Sequence, residues 1–151
     1  MEVWNKTKFL SIPSALRTID PSAKPTWGIM SPQHMVEHLV GTWRISNGRA
    51  QAPVLMKGEE LEKRRAFIFG DAPYDKNITN PVFGDGLAKL RKSDYESAID
   101  QLEDEMKEFF DYHRQNPEAI ESHPVFGDLN FSEWLLFQTK HMAHHLAQFG
   151  L

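Results

Sequence analysis

His141-Met142-Ala143-His144-His145-Leu146, near the C-terminus, has a near-copy upstream in His34-Met35-Val36-Glu37-His38-Leu39. Both stretches read H-M-x-x-H-L. Residues four apart on a helix are neighbours on one face, so each stretch can offer two imidazoles to one ion. On a helical wheel, His141 and His145 fall in the middle of the last helix's apolar arc, with Trp134, Gln138 and Gln148 around them. His38 falls among Met35, Thr42 and Ile45 on its own helix. Inward imidazoles are costly unless their nitrogens find partners. Neutral imidazole is the commonest metal ligand, and a three-histidine shell with an open position suits zinc or a similar divalent ion. The residues alone leave three or four ligands open, because His34 lies in a first turn and His144 at the border of the arc.

Working outward, the helices announce themselves by their ends. Ser31 is a good N-cap with Pro32 at the first helical position, and Asn47-Gly48 closes that helix. A weaker helix starts near Gly58 and carries Leu61, Ala66 and Phe67. Ser93 with Glu96 reads as a capping box ahead of a stripe of Ile99, Leu102, Met106, Phe109, Phe110 and His113. Asn130 with Glu133 repeats that logic for the last helix, which runs to Gly150. A short helix is expected over residues 14–19, stopped by Pro21, and a long loop over 71–86, rich in Pro, Gly, Asn and Asp. Period-two alternation is short wherever it occurs, so no strand is predicted. The expectation is an all-α fold: a four-helix bundle with one long crossover connection and a short N-terminal helix. Pro81-Val82-Phe83-Gly84-Asp85 recurs as Pro124-Val125-Phe126-Gly127-Asp128. That offset differs from the offset of the histidine copies, so the echo reflects similar loop chemistry and not a duplication.

The chain has 151 residues and no cysteine. That length suits one domain, taken as residues 1–151, with a core large enough to fold without a staple. A metal here would therefore serve function. Zinc-thiolate sites, disulfides and cysteine nucleophiles are excluded. A net charge of −4 argues against nucleic-acid partners. Lys63-Arg64-Arg65 and Glu103-Asp104-Glu105 read as solvated helix faces. No apolar run matches a signal peptide or a membrane span, so a cytoplasmic protein without a membrane partner is expected. Met142 and Met35 stand where a zinc peptidase has its glutamate base. No G-x-S-x-G occurs, and Phe83-Gly84-Asp85-Gly86 lacks the lysine of a phosphate loop. His113 reads as a cationic helix C-terminus and His123 as a loop residue. Trp27, Trp43 and Trp134 read as core anchors.

The blocks His123-Pro124 through Phe126-Gly127, Glu133-Trp134, His141 to His145 and Gln148-Phe149 resemble the DinB-like (YfiT-like) superfamily of metalloenzymes. Ser31-Pro32-Gln33 leading into Glu37-His38-Leu39 supports the resemblance. Residues 51–91 carry no motif that the family shares. The resemblance implies a four-helix bundle with a long crossover and a divalent metal, zinc, nickel or similar, held by His38, His141 and His145. His34 and His144 then become bystanders. It further implies a small-molecule substrate: characterised relatives transfer low-molecular-weight thiols such as bacillithiol and mycothiol, and homodimers are common among them. The functional expectation is a metal-dependent thiol S-transferase. A metal-dependent hydrolase using the same histidines and a non-catalytic metal- or ligand-binding helical module are the alternatives. Gln148 and Glu37 are candidates to support the ligands from behind, and no catalytic residue is assigned.

Overall fold

A computed structural model describes residues 2–76 and 86–151. Its secondary structure, among those residues, comprises five helices and one small hairpin. In chain order these are α1 (Lys6–Leu16), α2 (Pro32–Ser46), α3 (Gly58–Phe69), α4 (Tyr95–Gln115), β1 (Glu121–His123), β2 (Gly127–Leu129) and α5 (Phe131–Ala147). The fold is thus mainly helical, as the periodicity predicts. The hairpin corrects the expectation of no strand: three residues a side are too few to display an alternation.

The caps explain where the helices begin. Ser31 Oγ accepts the His34 amide at 3.1 Å, and Pro32 needs no partner for its nitrogen. At α5 the capping box is complete: Asn130 Oδ1 accepts the Glu133 amide at 2.9 Å, and Glu133 Oε1 accepts the Asn130 amide at 3.0 Å. At α4 the expected box at Ser93 is one residue early. Asp94 takes the cap, accepting the Ser97 amide at 2.7 Å, and its negative charge suits a helix N-terminus. Further upstream, α1 starts well before residue 14. Asn5 caps it through the Lys8 amide at 2.8 Å, and Phe9, Ile12, Pro13 and Leu16 form its buried stripe. Pro13 stands inside this helix and not ahead of it. The loop expected over 71–86 is free of helix and strand where described. Residues 77–85, with the first copy of the Pro-Val-Phe-Gly-Asp echo, lie outside the described residues.

Packing places α2 at the centre, against α4 on one side and against α5 and β1 on the other. Phe9, Trp43 and Phe109 make edge-on aromatic contacts at 5.1 Å. Trp43 Nε1 donates to Met142 Sδ at 3.3 Å, tying α2 to α5. Two charge runs depart from expectation. Glu105 is not on a wet face: its side chain is 3% exposed and ion-paired to Arg49 at 2.6 Å and Arg44 at 3.2 Å. Burial is tolerated because two cations and the Asn47 amide meet the carboxylate there. Arg65 likewise is no solvated bystander. It donates to the carbonyls of Phe126 and Asp128 at 2.9 and 2.7 Å and pairs with Glu133 at 2.8 Å. It thereby fastens the hairpin and the start of α5 to α3. The hairpin turn requires glycine at 127, where φ is +72° and a Cβ would stand 3.2 Å from Leu61.

Candidate metal centre

His38 projects from the middle of α2, and His141 and His145 from successive turns of α5. One nitrogen of each lies within 4.8 Å of the others. The Nε2 atoms of His38 and His141 are 2.9 Å apart. Ring centroids in the trio are separated by 4.7 to 4.8 Å, all nearly edge-on. Burial favours the neutral rings, and their mutual repulsion adds to it. The pKa of His38 falls to about 4 and that of His145 to about 3, and His141 drops well below its ordinary value. Neutral rings keep their lone pairs, which is the state a metal requires.

The fit to a cation rests on a further detail. His145 Nδ1 is 2.7 Å from Gln148 Oε1. An amide oxygen only accepts, so Nδ1 carries the proton and Nε2 presents a lone pair. Gln148 is held in turn by the Trp27 carbonyl, to which its Nε2 donates at 3.2 Å. Gly28, at φ +82°, lets the chain pass close: a Cβ there would lie 3.1 Å from that amide nitrogen. With Nε2 of His141 turned to His38, its Nδ1 is buried without a hydrogen-bond partner among the described residues. Ring nitrogens sharing one ion at ~2.0–2.1 Å stand roughly 3 Å apart, close to the separation of His38 and His141. The donor set therefore fits a divalent ion. Replacing Gln148 with leucine is expected to weaken zinc affinity by about 10- to 100-fold, the usual cost of losing a hydrogen bond behind a ligand. Competition with a chromogenic chelator measures it, and unchanged affinity would exclude that role.

The other expectations divide. His34 and His144 lie outside the trio. His34 Nδ1 is 2.7 Å from Ser31 Oγ. Glu37 is not exposed, nor does it support a ligand histidine: it is buried, and its carboxylate accepts from Gln33 at 2.9 Å and from the Arg91 and Lys92 amides at 2.7 and 3.3 Å. His113 is no helix-dipole cation. It is buried, its pKa is lowered by desolvation, and Nε2 donates to the Ser46 carbonyl at 2.8 Å. Trp43 and Trp134 are core residues, whereas Trp27 is only half-buried.

Sequence reasoning missed two groups. His123 packs against Phe137 at 4.6 Å and Trp134 at 5.7 Å. Its pKa is pushed down to about 3 by burial and by His38. Nδ1 accepts the amides of Val125 and Phe126 at 3.0 and 3.3 Å, so Nε2 carries the proton. A histidine ahead of the Pro124–Gly127 turn was the available signal. Tyr74 was also missed. Its ring lies 6.0 Å from His141 and 5.4 Å from His144, and burial pushes its phenol pKa upward. Lys140 holds that segment, donating to the carbonyls of Phe67 and Ala72 at 2.8 and 2.7 Å.

A mainly helical chain with a buried histidine trio shared between an early and a late helix defines a class of metal-binding helical proteins. The chain belongs to the DinB superfamily, whose sequence profile matches residues 9–149 and whose members generally bind metal. No curated protein and no solved structure gives a significant match. Among the described residues, no helix is long and apolar enough to cross a membrane.

Proposed function

We propose that this protein is a metal-dependent thiol S-transferase of the DinB/YfiT-like type, built as one four-helix-bundle domain and working in the cytoplasm, as a homodimer. The observation that carries the reading is the convergence of three neutral, buried imidazoles on one point, with Gln148 fixing the tautomer of the third. His38, His141 and His145 would hold the ion. An all-imidazole set suits zinc, nickel or a similar divalent ion. Such an ion supplies Lewis acidity, lowering the pKa of a thiol brought to it so that the thiolate can attack an electrophile.

This chain's own residues would do the rest. The three rings stay unprotonated because burial disfavours their cations. Phe137, stacked on His141 at 4.9 Å, and Tyr74 keep water from that ring. His38 is the least buried of the three, so a small molecule reaches the trio from its side. The test is a screen of bacillithiol, mycothiol, glutathione and coenzyme A against a chromogenic electrophile, with zinc- or nickel-loaded and chelator-treated protein. Metal-dependent conjugation with at least one thiol, lost in His141→Ala, is expected. No conjugation with any of the four would overturn the transferase reading.

A further inference from the structure

Beside the histidine trio, His144 is ringed by groups that the proposed chemistry leaves unused. Trp27 lies 5.6 Å from His144 and Tyr74 5.4 Å from it, centroid to centroid. The ammonium of Lys76 sits 4.5 Å over the Trp27 ring and acts electrostatically on His144. What sets this rim apart is its hydrogen-bonding balance. Trp27 Nε1 is buried and has no acceptor among the described residues. An indole nitrogen can only donate, and a buried donor without an acceptor is costly unless a ligand supplies one. The nearby carboxylates Asp71 and Asp75 are engaged in contacts of their own. A buried indole N–H without an acceptor among the described residues and one cation therefore lie at this rim, next to His145, whose ring lies 5.0 Å from His144.

The rim is held in place before anything binds. Lys140 fixes the chain entering it through the Phe67 and Ala72 carbonyls, and its ammonium lies 4.1 Å over the Phe67 ring. Phe67 in turn packs against Tyr74 at 4.8 Å. From the other side, the Trp27 carbonyl is tied to Gln148. Fixed donors lose little freedom when an anion arrives.

We propose that this rim is a carboxylate-binding subsite of the histidine centre, formed by the indole N–H of Trp27 and the ammonium of Lys76 beside the Tyr74 ring. The inference rests on the metal-centre reading above and adds the substrate class: a small thiol that also bears a carboxylate. Sulfur would enter at the trio while the carboxylate lies against Trp27, Tyr74 and Lys76.

Cobalt-loaded protein allows the test, because thiolate ligation gives an absorption band that reports binding without turnover. The probes are 3-mercaptopropionate and 2-mercaptoethanol. The carboxylate thiol is expected to bind at least about tenfold more tightly, the scale of one hydrogen bond to a charged acceptor. Lys76→Met and Trp27→Phe should each shrink that preference, and Lys76→Met should leave 2-mercaptoethanol binding unchanged. Lys76 is exposed, so its replacement does not threaten the fold. Equal affinities in the wild type overturn the subsite. A preference that survives both substitutions is chelation by the metal and also overturns it. If cobalt does not load, the metal reading itself fails, and this inference falls with it.

Discussion

Protein purified without chelator or histidine tag is expected to carry about one equivalent of divalent metal, and His141→Ala less than about a tenth of that. His141 is the ring on which the other two depend. It faces His38 Nε2 at 2.9 Å and lies one helical turn before His145. Removing it leaves two imidazoles from different helices, a set that seldom retains an ion through purification. His34→Ala and His144→Ala should keep the metal, because neither ring belongs to the trio. Elemental analysis of the four proteins reads the outcome. Metal content unchanged by His141→Ala would remove the site. Folding can be controlled with His141→Leu. The wild-type ring buries Nδ1 with no partner among the described residues, whereas leucine brings no polar atom. The leucine variant should therefore unfold no earlier than metal-free wild type.

The trio was legible because helical spacing is periodic and metal ligation is a demand on identity. His141 and His145 declare one face by being four apart, and His38 declares an inward position through Met35 and Thr42. The resemblance then narrowed the expected ligands from four to three. What escaped was set by contacts between elements that no local pattern encodes. Glu105 looked solvated because its cations, Arg44 and Arg49, come from α2 and the turn after it. Glu37 read as a support for the histidines because nothing local announces Arg91 and Lys92, whose amides hold its carboxylate. Tyr74 and Lys140 belong to the same case: a lysine on the last helix and two carbonyls near the end of the third place a tyrosine on the rim. The hairpin around His123 is too short to alternate, and its function as a turn is carried by Gly127 and the His123 ring.

Acid should destabilise the metal-free protein steeply, over a window that the histidines set. The folded-state pKa values are depressed: His38 to about 4, His123 and His145 to about 3, against an ordinary value of 6.5. Between those limits the unfolded chain binds more protons than the folded one, so stability rises with pH. The contribution is fully present above pH 6.5 and drains away as pH falls toward the folded values. Each such group costs up to about 1.4 kcal/mol per pH unit, and His141 is depressed with them, against a typical total stability of roughly 5–15 kcal/mol. Glu37, also depressed from 4.5, loses its contribution only at lower pH, so the range from 6.5 to 5 belongs to the imidazoles. Urea midpoints of chelator-treated protein at pH 7.5, 6.5 and 5.5 should be nearly level over the first step and fall sharply over the second. Saturating metal should move the fall to lower pH, because an ion that binds only the folded state opposes protonation of its ligands. His123→Gln removes one titrating ring outside the trio and should lessen the slope, by no more than about a quarter, since His38, His141 and His145 are depressed as well. A flat midpoint between pH 7.5 and 5.5 would mean that these rings are not held neutral by burial, and the neutral, metal-ready state of the centre would lose its physical basis.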